Sequence, residues 1–171
     1  MYNLHPIFVH FPIAFFLLYS FLRLFRWPRK FPSVDWQLPR IVILAAGLLG
    51  AWAAVSTGEA DSQTLEGETG ILGLHEAFAN TSIYIYWTLL GIELLPLLKP
   101  EWLKKNKSMV LAWLNPVILF VQKTLSQTWI IVLLTLLGAL SIFLTGLLGG
   151  AMVYGLSADP LAAPILRILG V

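Results

Sequence analysis

Apolar residues are concentrated in four long segments that shorter polar stretches separate. The segments cover about residues 7–24, 41–57, 71–95 and 128–154. Each is near the roughly 20 residues that an α-helix needs to cross the hydrocarbon core of a bilayer. Helices also satisfy their own backbone hydrogen bonds, for which lipid offers no partner. The pattern therefore predicts an all-α, integral membrane four-helix bundle, built as a single transmembrane domain over residues 1–171.

A fifth apolar stretch, residues 109–122, is shorter than a membrane span, and Asn115-Pro116 interrupts it. A proline inside a helix removes a hydrogen bond and bends or ends the helix. Lysines flank the stretch on both sides, which indicates that its two ends lie at the same membrane surface. We interpret it as an extra interfacial or re-entrant helix leading into the last span.

Charged residues divide between the two edges of the predicted bundle. The connections 23–40 and 99–123 hold ten of the eleven basic residues, while six of the nine acidic residues lie on the opposite side. Because basic residues mark the cytoplasmic side of a membrane protein, we expect an N-out, C-out arrangement with both termini extracytoplasmic. This bias also explains the net charge of +2 without a nucleic-acid partner.

The composition agrees with a membrane protein and excludes several kinds of chemistry. Hydrophobic residues make up 58% of the chain and charged residues 12%, about half the charged share of a soluble domain. The chain has no cysteine, which excludes disulfides, thiolate metal centres and covalently attached c-type haem. We find no Ser-His-Asp pattern, phosphate-binding loop or paired-carboxylate motif, so the sequence predicts no independent hydrolase or kinase activity.

Small residues line one face of the second apolar segment, at Gly47, Gly50 and Ala54, and Gly149 lies in a similar stripe of the fourth. Residues three, four and seven positions apart share one face of a helix. Such faces allow transmembrane helices to approach closely. They also leave room for a flat prosthetic group between helices, and the two interpretations do not exclude each other.

All three histidines fall at the predicted outer edge. His5 and His10 flank the start of the first segment, and His75 opens the third. A histidine in lipid is costly unless it faces a partner, a cavity or a metal. Five residues turn about 140° around a helix, so His5 and His10 do not share a face. We predict that His10 and His75 are the axial ligands of a b-type haem. His5 would then bind a propionate or ligate a second haem.

Other interpretations of the histidines stay open. Together with Glu59 or Asp61 they could form a zinc, copper or non-haem iron site, provided that the 58–70 connection folds inward. They could also handle protons. Alternatively, His5 and His10 are interfacial residues and His75 is only a polar helix start.

Glu93 is a lone carboxylate in an apolar run near the basic edge. We expect it to extend towards Lys99 and the membrane surface. The alternative is a proton or quinone site.

Four motifs along the chain together resemble the DUF2231 family of bacterial membrane proteins. They are the HPxxVHFP-type start at residues 5–12, Thr57-Gly58-Glu59-Ala60-Asp61 after the second span, His75 at the start of the third, and residues 149–155 (GGAMVYG) at the end of the fourth. The resemblance implies a small four-helix membrane module, and we expect the protein in the bacterial inner membrane. The connection 99–127 is longer than the compact form of the family suggests.

Two classes of function follow from these expectations. In the first, the protein is a membrane-embedded haem protein for electron transfer. Its haem exchanges electrons with a periplasmic carrier, a quinone or a neighbouring membrane redox subunit. In the second, it is a non-redox accessory subunit whose small-residue faces dock larger membrane partners.

Overall fold

The computed structural model describes residues 5–25, 30–62, 69–97, 127–155 and 160–170, together with residues 116, 119–120 and 123–124. These ranges contain five α-helices: α1 (His5–Leu24), α2 (Gln37–Ser62), α3 (Thr69–Leu94), α4 (Thr128–Tyr154) and α5 (Ala162–Leu169). A short 3-10 turn, Leu95–Leu97, follows α3. The described chain has no strand, which confirms the all-α prediction.

The helices follow the predicted apolar segments closely, with one correction. α4 has the predicted bounds, and α1 and α3 begin two residues earlier than predicted. α2 is longer at both ends and reaches Ser62, so the first part of the expected 58–70 connection is helical. The predicted helix at 109–122 lies largely outside the described residues.

Three of the helices are long and apolar enough to cross a membrane, namely His5–Leu24, Gln37–Gly58 and Thr128–Tyr154. α3 is not among them. Its 26 residues would nevertheless extend about 39 Å, and its side chains contact α4 from His75 to Tyr86. The fourth span therefore stays a prediction, which the length and packing of α3 support.

The four long helices form a ring in which neighbours along the chain pack together. α1 packs mainly on α2, and α3 mainly on α4, while α1 with α4 and α2 with α3 complete the ring. Each pair is a helical hairpin, and α1 and α3 lie diagonally opposite each other. His5 and His75 mark one end of the bundle, here called the histidine end. Glu93 marks the other, the glutamate end.

An approximate twofold axis along the bundle relates the two hairpins. The pattern of buried, half-buried and exposed positions over residues 5–21 repeats position by position over residues 75–91. In the second helix of each hairpin, Gly47 corresponds to Gly138, and Gly58 to Gly149, because each glycine contacts corresponding side chains. Membrane proteins are often built from such parallel repeats. No internal repeat is evident from the sequence alone.

Aromatic rings fill the centre of the bundle on this axis. Phe16 and Tyr86, which occupy corresponding positions, stack with their ring centroids 3.9 Å apart. Tyr19 contacts Tyr86 edge-on, and the Tyr86 hydroxyl forms a 2.8 Å hydrogen bond with Ser20 Oγ. All three rings are fully buried. In lipid, this kind of close packing holds helices together, because the apolar surroundings give little hydrophobic driving force.

α5 covers the histidine end of the second hairpin. It presents Ala162 and Leu166 to Leu148 and Ala151 of α4, and all four side chains are buried. The segment after α4 therefore contains a short amphipathic helix packed on the bundle.

Candidate functional site

His5 lies in the first turn of α1 and bonds to α2. Its Nδ1 lies 2.9 Å from the carbonyl oxygen of Ala54 and 3.2 Å from Thr57 Oγ1. The ring rests on Gly58, where an added Cβ would lie 2.8 Å from His5 Cε1. Only a glycine lets the ring come this close to the α2 backbone.

His75, one turn and a half into α3, makes the corresponding contacts with α4. Its Nδ1 lies 2.9 Å from the carbonyl oxygen of Thr145. Its ring rests on Gly149, where an added Cβ would lie 3.2 Å from His75 Cε1. In both hairpins, then, the glycine follows the accepting carbonyl by four residues, one helical turn later.

These contacts define the protonation of both rings. A carbonyl oxygen can only accept a hydrogen bond, so Nδ1 of each histidine carries the proton and donates it. In the neutral ring, Nε2 then carries the lone pair. Histidines that bind metals commonly have this arrangement, in which one ring nitrogen donates to a carbonyl and the other ligates.

The two histidines that the structure brings together are His5 and His75. They occupy corresponding positions on α1 and α3 at the same end of the bundle. His10 is exposed on α1, and its Nδ1 donates to the carbonyl of Pro6 in its own helix. The pairing of His75 with His10 as ligands stays a prediction, whereas the position in α1 that corresponds to His75 is His5.

The small residues predicted to line a flat cofactor contact side chains of the protein itself. Gly47 lies against the ring of Phe16, Gly50 against Phe11 and Pro12, and Gly149 against His75. Ala54 is buried beneath His5 and supplies its carbonyl. These contacts support the interpretation that the small residues allow close helix packing, rather than the interpretation that they leave room for a flat cofactor.

A layer of small side chains separates the histidines from the stacked aromatic rings. It contains Pro12 and Ser82, which correspond to each other, and Ala54 and Thr145, which also correspond. All four are buried. The bulkiest side chains of the axis therefore lie deeper than the histidine pair.

Metal-binding side chains do not cluster in threes within the described ranges. The alternative site with Glu59 or Asp61 needs side chains that lie outside the described part of the chain. Two imidazoles, those of His5 and His75, lie at the histidine end of the described chain.

The glutamate end holds a buried ionic cluster that the sequence did not predict. Glu93 is 5% exposed and points into the bundle rather than towards the membrane surface. Its Oε1 lies 2.9 Å from Nε of Arg40 and 3.6 Å from Nη1 of Arg23, and it accepts a hydrogen bond from the Tyr19 hydroxyl. Lys99, towards which Glu93 was expected to extend, lies outside the described residues, and the described partners of Glu93 belong to α1 and α2. One feature of the sequence could have indicated this cluster, because Arg23, Arg40 and Glu93 all lie at the basic edge of the predicted bundle.

One comparison with known proteins gives a match. The family model described as "Predicted membrane protein (DUF2231)" matches residues 1–158. No curated protein and no solved structure matches the chain.

Proposed function

We propose, for a chain that belongs to the DUF2231 family of predicted membrane proteins, that the histidine end binds a b-type haem and that the protein transfers electrons. His5 and His75 would hold the haem iron. The observation that carries the proposal is the repeated arrangement in which each histidine donates from Nδ1 to a carbonyl of the neighbouring helix.

The size of the donor set favours haem over a mononuclear metal ion. Protein-bound zinc usually has three or four protein ligands, and the described residues offer no group of three. Haem brings four equatorial nitrogens and needs at most two axial ligands from the protein. Two imidazoles on diagonally opposed helices match that requirement.

The chain's own residues would orient the ligands and keep them in the ligating tautomer. The carbonyls of Ala54 and Thr145 hold the Nδ1 protons, so Nε2 is the nitrogen with a lone pair in each ring. Gly58 and Gly149 fix the ring positions from one side. Bound haem would supply a one-electron redox centre.

Partners and location follow as part of the same proposal. In an N-out bundle of the bacterial inner membrane the histidine end faces the periplasm. A soluble periplasmic carrier, a quinone or a membrane redox subunit could then exchange electrons with it. The lipid bilayer is the surrounding medium.

An optical experiment with three alanine variants tests the proposal. We expect purified protein, expressed with sufficient haem, to show a Soret band and a reduced α-band of a b-type cytochrome. His5→Ala and His75→Ala should each lose the six-coordinate spectrum, and external imidazole should restore it. His10→Ala is the matched control and should keep the spectrum.

Three results would overturn this assignment. A protein that takes up no haem in vivo or on reconstitution, although it elutes as a folded species, has another function. Loss of the spectrum in His10→Ala with retention in His5→Ala would return the ligand role to His10. A stoichiometric non-haem metal by elemental analysis would favour a mononuclear site.

The second candidate function is a non-redox accessory subunit. It is supported by the same contacts, since the histidines already bond α1 to α2 and α3 to α4. On this proposal, His75→Ala lowers the stability of the bundle while the purified wild-type protein contains no metal. The optical spectrum of the wild type therefore separates the two candidates before any variant is made.

A further inference from the structure

The ionic cluster at the glutamate end contains more positive than negative charge. Arg23 and Arg40, the inner arginine pair, both face a single carboxylate, Glu93. Their side chains are 24% and 12% exposed. A guanidinium remains charged in proteins, so this partly buried group of three charges keeps an excess of one positive charge.

The acceptors within the cluster engage only part of the arginine donors. Each guanidinium has five N–H groups. Arg40 uses Nε and Arg23 uses Nη1, and both approach the same atom, Oε1 of Glu93. That atom also accepts from the Tyr19 hydroxyl. One carboxylate oxygen therefore serves three donors.

The neighbouring polar groups that the structure describes do not balance this charge. Gln37 donates from its side-chain amide to the backbone carbonyl of Glu93, which adds a donor and no charge. Asp35 is exposed and accepts from the backbone N–H of Gln37. Lys30 is a further exposed cation in the same connection. The described surroundings thus offer the inner arginine pair one buried anion.

An uncompensated buried charge is costly, and a bound anion removes that cost. Phosphate is an anion that guanidinium groups bind through parallel N–H···O bonds. A membrane surface supplies phosphate in lipid headgroups, and basic pockets between helix ends commonly bind anionic headgroups.

We infer that Arg23 and Arg40 bind the phosphate group of an anionic ligand at the glutamate end, either a lipid headgroup or free phosphate. Glu93 positions the two guanidiniums and competes with the ligand for them. This site lies at the opposite end of the bundle from the histidines and does not depend on haem binding.

The experiment measures ligand-dependent thermal stability of the full chain in nanodiscs. The basal lipid is phosphatidylcholine, and the two added probes are phosphatidylglycerol in the membrane and inorganic phosphate in the buffer. We expect an added anion to raise the unfolding temperature of the wild type. Stabilisation by phosphatidylglycerol alone identifies a lipid headgroup, and equal stabilisation by inorganic phosphate identifies the free anion.

Variants that remove either a positive or a negative charge then test the residues of the cluster. Arg40→Gln should weaken the response to the active probe by about tenfold in concentration, the size expected for losing a charge-assisted hydrogen bond. Arg23→Gln, at the more exposed position, should weaken it less. Glu93→Gln removes the competing carboxylate and should strengthen the response. Lys30→Gln is the matched control and should leave it unchanged.

The inference is overturned if the wild type responds to neither probe, or if Lys30→Gln weakens the response as much as Arg40→Gln does. If Glu93→Gln fails to fold, the comparison of Arg23→Gln with Lys30→Gln still decides the outcome. A purely structural ion pair would lower stability in Arg40→Gln and leave the concentration dependence of both probes unchanged.

Discussion

The glycine under each histidine ring allows a quantitative test of the packing at the histidine end. A methyl group added at position 58 would lie 2.8 Å from Cε1 of His5, about 0.6 Å short of ordinary contact. At position 149 the corresponding distance to His75 is 3.2 Å, about 0.2 Å short. Gly150, the next residue along α4, has nothing within 4 Å of an added Cβ.

These distances predict that three alanine substitutions change the free energy of unfolding by different amounts, two of them destabilising the protein and the third not. Forcing an extra methyl group into a packed core costs about 1–3 kcal/mol. We expect Gly58→Ala in the upper part of that range and Gly149→Ala in the lower part. Gly150→Ala should be neutral or stabilising by up to about 1 kcal/mol, because alanine is the better helix former.

Reversible unfolding of the three variants in mixed micelles, followed by tryptophan fluorescence, measures these differences. A change of about 1.4 kcal/mol alters the ratio of folded to unfolded protein tenfold, so the predicted order is resolvable. The reasoning is refuted if Gly58→Ala is no less stable than Gly150→Ala. In that case the histidine rings would not be held against the glycines.

Two further predictions concern the core and α5. Tyr86→Phe should lower the free energy of unfolding by about 0.6–2 kcal/mol in the same assay, because it removes the hydrogen bond to Ser20. Tyr84→Phe, at an exposed position, is the control and should change stability little. Equal effects of the two substitutions would contradict the role of that hydrogen bond. Since the chain has no cysteine, single-cysteine labelling can test the packing of α5. Leu166→Cys (3% exposed) should react with a maleimide more slowly than Ile168→Cys (83% exposed), and equal rates would show that α5 does not pack on the bundle.

Much of the fold could be predicted because the apolar segments are continuous and end at charged or helix-breaking residues. Thr128–Tyr154 is the clearest case, since no charge interrupts it. The end of α2 was harder to predict. The polar residues Glu59 and Asp61 suggest a loop, yet the helix continues through them to Ser62. Polar residues at a membrane edge are compatible with a helix as well as with a loop.

The sequence predicts that the histidines lie at one edge of the bundle, and in the structure His5 and His75 lie at the same end, while the ligand pairing stays a prediction. Helical geometry correctly indicates that His5 and His10 point in different directions. It does not indicate which one faces the bundle, because Pro6 makes His5 look like a residue before the helix. In the structure the helix already includes His5, and this extra turn brings it beside α2.

The ionic cluster depended on contacts that a single sequence does not reveal. Glu93, Arg23 and Arg40 belong to three different helices, so no spacing along the chain relates them. The twofold repeat was hidden for a similar reason. Few residues are identical between the two hairpins. The connection between the helices is also longer in the second hairpin than in the first. Corresponding positions are therefore 70 residues apart in α1 and α3 but 91 residues apart in α2 and α4.

The residues that meet on the twofold axis at the glutamate end have opposite charges. Position 23 of the first hairpin is arginine, and the corresponding position 93 of the second is glutamate. Two copies of the first hairpin would bring arginine against arginine, and two copies of the second would bring glutamate against glutamate. Like charges at such a contact disfavour the wrong pairing. The hairpins of this chain are therefore complementary rather than interchangeable, which favours pairing of a first hairpin with a second hairpin over pairing of two like hairpins.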